Sequence, residues 1–147
     1  MSQKQNNYQA LIEDRIFMGA AADVEDMIKN EEVDVVIDLR AEATGCAYEG
    51  ADVEWIQIPL GDNTAEDHLL FKQAIDEVVG AYKSGKKVAF HCAGGGGRTG
   101  VVAVGTLIEL AQAAGIEEAE AKAIDIRAKI NIKPPQREAL EKLYNKK

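Results

Sequence analysis

His91-Cys92-Ala93-Gly94-Gly95-Gly96-Gly97-Arg98-Thr99-Gly100 sets one thiol and one guanidinium at the two ends of a five-residue loop that is almost wholly glycine. Before it, Lys86 to Phe90 ends in Val-Ala-Phe behind Ser84-Gly85 and reads as a buried strand. After it, Val101 to Ala111 is apolar on nearly every face and reads as a buried helix. The loop therefore joins a strand to the N-terminus of a helix. Backbone N–H groups without intrahelical partners open into such a loop and the helix dipole adds partial positive charge, so main chain alone can bind a dianion. Glycines leave that approach unobstructed and allow positive φ, at an entropic cost.

The same surroundings favour the thiolate of Cys92, because helix N-termini and nearby cations stabilise a sulfur anion. Arg98 can curl back so that its planar fork grips two phosphate oxygens, a geometry that a lysine point charge does not reproduce. Thr99 can donate its hydroxyl to the sulfur and ease its departure. His91 fits an orienting residue, its ring bonded to loop backbone, better than a proton-transfer base. Ala93, Gly94, Gly95, Gly96 and Gly97, together with Arg98, form the expected phosphate-binding surface.

Two other glycine-rich loops compete for this stretch. Gly95-Gly96-Gly97-Arg98-Thr99-Gly100 also fits the dinucleotide pattern G-x-G-x-x-G, but such a unit continues into a second parallel strand. Here Ile116 to Ile130 carries Ala119, Ala123, Ile126 and Ile130 at helical spacing. A nucleotide-binding loop of the G-x-x-x-x-G-K-[ST] type requires a lysine where Arg98 stands.

Working outward, the sequence predicts strands at about Arg15 to Met18, Val33 to Leu39, Glu54 to Ile58 and Lys87 to His91, with helices between and after them. Asp23 is placed to cap a helix running to Asn30, and Thr64, followed by Glu66 and Asp67, to cap one running to Lys83. Phe71, Ile75, Val78 and Tyr82 form the core-facing stripe of the latter. Gly115 suits a helix stop, and Pro134-Pro135 the first turn of a last helix carrying Leu140, Leu143 and Tyr144. The expected fold is a single α/β domain over residues 1–147, with a central, mostly parallel sheet of four or five strands and helices on both faces.

Ligands of such sheets bind beyond the carboxyl ends of the strands, and that rule selects a second reactive group. Asp62 follows the strand Glu54 to Ile58 directly, so parallel pairing sets it at the sheet edge that carries the Cys92 loop. It is the candidate general acid. Asp67 has an ordinary explanation as an acidic residue in a helix first turn. Lys86 and Lys87 begin the strand that ends in Cys92, so at ~3.3 Å per residue they lie on the order of 15 Å from the sulfur.

With 147 residues, 46% of them hydrophobic and 29% charged, the chain can bury a proper core. The net charge of −8 argues against general nucleic-acid binding and against attraction to anionic membranes. It does not exclude an anionic substrate, because the field inside the loop comes from Arg98 and backbone dipoles. Met1 to Gln9 is polar, no apolar run approaches the ~18 residues of a membrane span, and the expectation is a cytoplasmic protein. Two cysteines suit a reducing compartment, with Cys46 read as a passive loop residue and, as the sharper alternative, a disulfide partner for oxidised Cys92.

The loop resembles the signature of the cysteine-dependent protein tyrosine phosphatases: His-Cys, five residues, Arg, then Ser or Thr, with glycine third after the cysteine. Cys92, Gly95, Arg98 and Thr99 match it, and the likeness is nearest to the small dual-specificity branch and its bacterial relatives. It extends from Arg15-Ile16-Phe17-Met18-Gly19 through Val35-Val36-Ile37-Asp38-Leu39-Arg40 and Ile58-Pro59-Leu60-Gly61-Asp62-Asn63 to the loop. The resemblance implies hydrolysis of phosphomonoesters in proteins through a phosphocysteine, with Asp62 as acid and no cofactor or metal. It also implies a glutamine before the final helix that places the hydrolytic water, a position held here by Gln136. The expected partner is a phosphorylated protein or small phosphomonoester, with no nucleic acid and no membrane. Phosphoinositides and RNA 5′ ends are alternatives within the family, although no lysine or arginine stands between Cys92 and Arg98. A phosphate-binding module without turnover is the alternative outside it.

Overall fold

Short apolar runs alternating with amphipathic helices assemble around the strand that leads into the glycine loop. The computed structural model describes residues 7–48, 53–61 and 68–144. Five strands, β1 (Gln9–Ile12), β2 (Ile16–Ala20), β3 (Val35–Arg40), β4 (Glu54–Leu60) and β5 (Val88–Cys92), form one sheet in the order β1-β2-β5-β3-β4. β1 and β2 are antiparallel; β2, β5, β3 and β4 are parallel neighbours. Strand β5 sits at the centre and every one of its residues is buried, as a parallel strand covered on both faces must be.

Among the described residues five α-helices and a short 3-10 turn (Ala21–Asp23) join the sheet: α1 (Val24–Glu31), α2 (His68–Lys83), α3 (Arg98–Glu109), α4 (Ile116–Ile126) and α5 (Pro134–Tyr144). They divide unequally between the faces. On one face Val88, Phe90 and Cys92 of β5 join Val35, Ile37 and Leu39 of β3 under Phe71 and Ile75 of α2 and the apolar side of α3. On the other, Phe17, Val36 and Ala89 pack against Val24 and Met27 of α1. The period of two along β5 therefore sends Cys92 to the helix-rich side and His91 to the opposite one.

Several local expectations are corrected. Strand β1 was hidden in a polar N-terminal stretch; Tyr8 and Leu11 are 4% and 5% exposed and anchor it. Asp23 holds the N-cap position of α1, yet its carboxylate accepts the N–H of Ala20 at 2.8 Å instead of capping α1. Gly115 starts α4, and Ala111, at φ 59°, takes the left-handed position after α3. The helical spacing toward Ile130 stops at Ile126, because Arg127 turns extended, at φ −134° and ψ 101°. Thr64, Glu66 and Asp67 lie outside the described residues. Among the described residues no helix is long and apolar enough to cross a membrane.

Helices α2 and α3 pack tightly at Gly105, where a Cβ would stand 2.1 Å from Cδ1 of the fully buried Ile75. Glycine to alanine inside a helix ordinarily stabilises by up to about 1 kcal/mol. At this position overpacking outweighs it, and Gly105→Ala is expected to lower stability by about 1–3 kcal/mol, read as a reduced urea midpoint at unchanged slope.

Candidate active site

The site begins where β5 runs out. Cys92 is its last residue, opposite Ala20 of β2, and α3 opens six residues later at Arg98. A loop this short can show its N–H groups to an anion only if its carbonyls are held elsewhere. Four are held: the Cys92 carbonyl accepts from His91 Nδ1 at 3.0 Å, Ala93 from the Ala21 N–H at 3.1 Å, Gly95 from Arg127 Nε at 2.9 Å and Gly96 from the Asn131 N–H at 3.1 Å. No described peptide bond is cis, so the N–H that follows each carbonyl points the opposite way. The amides of Ala93, Gly94, Gly96 and Gly97 are thereby turned from the anchors toward the hollow of the loop.

The fifth amide serves the sulfur. Gly95, at φ +79°, aims its N–H at Cys92 Sγ from 3.2 Å. The hydroxyl of Thr99, the second residue of α3, lies 3.1 Å from the same sulfur and 3.4 Å from the Gly19 carbonyl. Cys92 is 3% exposed, so its sulfur forms a floor and not a rim. Two directed donors on one buried sulfur are what a thiolate needs to stay where it is, and what a leaving sulfur needs later.

Arg98 is also buried, and its Nη1 donates to the Leu60 carbonyl at 3.0 Å. That bond ties the first residue of α3 to the last residue of β4, and so to the edge from which Asp62 follows; Asp62 itself lies outside the described residues. Glu42 meets the guanidinium with both oxygens, at 3.0 Å from Nη1 and 3.2 Å from Nη2. The Arg98 bonds hold the Glu42 carboxyl below the usual carboxylate range. Glu42 escaped the sequence reading. It sits in a loop with no pattern of its own, and its meaning comes from a partner 56 residues away.

His91 is fully buried on the α1 side, and burial pushes its imidazole below the ordinary range against the pull of Asp38, whose Oδ2 lies 3.8 Å from Nε2. Its ring is bonded to loop backbone at the Cys92 carbonyl. Asp38 is held by Arg40 through Nε and Nη2 at 2.8 Å and by the Trp55 indole at 3.1 Å. Gln136, expected near the loop, is fully buried; its Oε1 accepts the Lys133 N–H at 2.9 Å, and a Cβ on Gly97 would stand 2.8 Å from its amide. Cys46 is half-buried, packed against the cluster under α1, and is a free thiol like Cys92. Among the described residues no group of acidic, histidine and cysteine side chains is arranged to hold a metal ion.

Residues 16–146 match the family model of the dual specificity phosphatase catalytic domain. No curated protein sequence matches the chain. Its fold is similar to human DUSP28, at TM-score 0.80 and 18% identity over 99% of this chain and 97% of that one. It is also similar to a mouse putative dual specificity phosphatase solved with zinc tungstate, at TM-score 0.82 and 15% identity over 99% and 91% of the two chains. A third similar structure is PTPMT1 in complex with PI(5)P, at TM-score 0.73 and 20% identity over 92% and 93%.

Gly95 tests the geometry. A Cβ there would stand 2.3 Å from Arg127 Nη2 and 3.0 Å from the backbone of Gly19, on a residue already at positive φ. Gly95→Ala is expected to lose on the order of 1–3 kcal/mol of stability through backbone strain while keeping a cooperative unfolding transition, and thermal melts check both.

Proposed function

The chain belongs to the dual specificity phosphatase catalytic domain family, and on that premise we propose that it hydrolyses phosphotyrosine, and also phosphoserine and phosphothreonine, in proteins through a phosphocysteine intermediate. The observation that carries the reading is the sulfur of Cys92. It receives the Gly95 amide and the Thr99 hydroxyl, inside a loop whose carbonyls are tied to its outer side.

Cys92 Sγ attacks phosphorus in line as the bond from phosphorus to the ester oxygen breaks. The inward amides and Arg98 hold the equatorial oxygens, where charge develops. Asp62 gives its proton to the departing oxygen, so that the alcohol or phenol leaves neutral. Its position two residues beyond Leu60, whose carbonyl takes a hydrogen bond from Arg98, supports that assignment. In the second step Asp62, now a carboxylate, takes a proton from water as the water oxygen attacks phosphorus and the S–P bond breaks. The electron pair returns to sulfur, where the Thr99 hydroxyl receives it. Gln136, packed against Gly97, is the residue we assign to placing that water.

Protein phosphomonoesters fit this loop better than polyanionic head groups. The similar PTPMT1 was solved with PI(5)P. Here Ala93 to Gly97 contribute no side-chain cation, and Lys86 and Lys87 precede β5 at its far end. Two free thiols in a chain with a net charge of −8 fit a reducing compartment, and we place the enzyme in the cytoplasm.

Cys92→Ser should abolish turnover of an aryl phosphate and still bind the ester; residual turnover above about a thousandth of wild type would refute the covalent route. Asp62→Asn should lower kcat by about 10²–10⁴ for alkyl phosphates and much less for p-nitrophenyl phosphate, whose leaving group needs no proton. If Asp67→Asn alone has that effect, the acid is misassigned. Phosphopeptides, inositol phosphates and nucleotides assayed side by side decide the substrate class, and no turnover of any would leave a binding module.

A further inference from the structure

Arg127 is a fully buried side chain of large volume, and it belongs to no part of the phosphatase signature. It stands where α4 ends, its backbone N–H bonded to the Ala123 carbonyl at 2.8 Å. Its Nε donates to the Gly95 carbonyl at 2.9 Å, and its Nη1 to the Asn7 carbonyl at 2.5 Å and to Gln9 Oε1 at 2.8 Å. All these acceptors are neutral. Its Nη2 is buried without a partner, and among the described residues no carboxylate lies within ion-pair distance of the guanidinium. Burial pushes Arg127 below its ordinary range, and the charges that pull it back are Asp23 and Cys92.

A guanidinium taken out of water without a counter-ion is strongly unfavourable, so the place where its charge is offset matters. Nη2 lies against Gly95, 2.3 Å from where a Cβ would be, and the N–H of that same Gly95 points at Cys92 Sγ from 3.2 Å. One glycine separates this buried cation from the nucleophile. From the juxtaposition of Arg127 Nη2 and Nε with Gly95 behind Cys92, we infer that Arg127 is a positioning residue of the catalytic loop: it fixes the Gly95–Gly96 peptide so that the Gly96 amide faces the substrate, and it supplies the buried positive charge that the sulfur anion and the bound phosphate neutralise.

This inference rests on the phosphatase reading, and three of its four readouts do not require turnover. Wild type, Arg127→Lys and Arg127→Met are compared by tungstate binding in calorimetry, by the pH profile of Cys92 alkylation with iodoacetamide, by the division of any rate loss between kcat and KM, and by thermal melts. The other charged groups around the loop, Arg98, Glu42, Asp23, Asp38 and His91, are the same in all three. The methionine variant is expected to bind tungstate at least about tenfold more weakly, the loss of one charge-assisted hydrogen bond, and to need a higher pH for alkylation. The lysine variant, with the charge but not the directed Nε–H, should keep the alkylation profile and still bind tungstate several-fold more weakly.

A folded methionine variant with the wild-type tungstate affinity and alkylation profile would overturn the inference. Should that variant fail to fold, the lysine variant decides: wild-type affinity and kcat/KM in it would show that the directed bond does nothing. Wild type that binds tungstate but hydrolyses no phosphoester sinks the phosphatase reading alone, and the comparison of variants still tests Arg127. Wild type that binds no tungstate sinks both.

Discussion

A peptide plane carries its donor and its acceptor on opposite edges, so a loop shows amides to an anion only to the extent that something else takes its carbonyls. The site of this protein depends on that constraint. The anchors come from a histidine ring at the end of β5, from the backbone after β2, from the arginine that ends α4 and from the backbone that follows it. Each lies on a different element. The parallel sheet brings β2 beside β5, and the packing of α4 against α3 brings residues 127–131 behind the loop. The fold is in this sense the device that keeps the loop turned the right way. Oxyanion stabilisation of this kind acts without reorganisation at the moment of reaction because the dipoles are already fixed.

The same arrangement reconciles an acidic chain with an anionic substrate. A net charge of −8 would repel a phosphoester at long range, but within ionic screening of about 8–10 Å the local groups decide. Those groups are Arg98, Arg127 and the inward amides, all buried or half-buried. Acidic partners are rationed: Glu42 meets Arg98 from the solvent side, with 55% of its side chain exposed, while Arg127 has neutral acceptors only. A bound dianion therefore finds two guanidinium groups, of which only Arg98 has a carboxylate partner among the described residues.

What the sequence made legible follows the reach of each interaction. The strand, loop and helix around Cys92 are contiguous, and their patterning predicts the fold class and the burial of β5. The parallel order of β4, β3 and β5 confirms the sheet edge from which Asp62 was chosen, although Asp62 itself lies outside the described residues. Arg127 and Glu42 were not legible. One reads as the charged end of an amphipathic helix and the other as a loop acid, and only contacts 32 and 56 residues distant in the chain change that. β1 was missed for a related reason: a short edge strand needs few apolar residues, and Gln9 serves it by accepting from Arg127. Asp23 and Gly115 were misread because a capping side chain or a glycine marks a helix boundary without saying which boundary it serves.

The glycines also gain a different explanation. Read as sequence, they are absent side chains on the ligand's side of the loop. In the structure, a Cβ on Gly95 would strike Arg127 and one on Gly97 would strike Gln136, both of which pack against the loop, whereas one on Gly94 would meet nothing. The loop is glycine-rich in large part because its supports press so closely against it. A phosphate cup built from main chain needs two clear surfaces, one for the anion and one for the groups that turn its carbonyls away. Only residues without a Cβ leave both surfaces open at once, so the composition of this loop records its scaffold as much as its substrate.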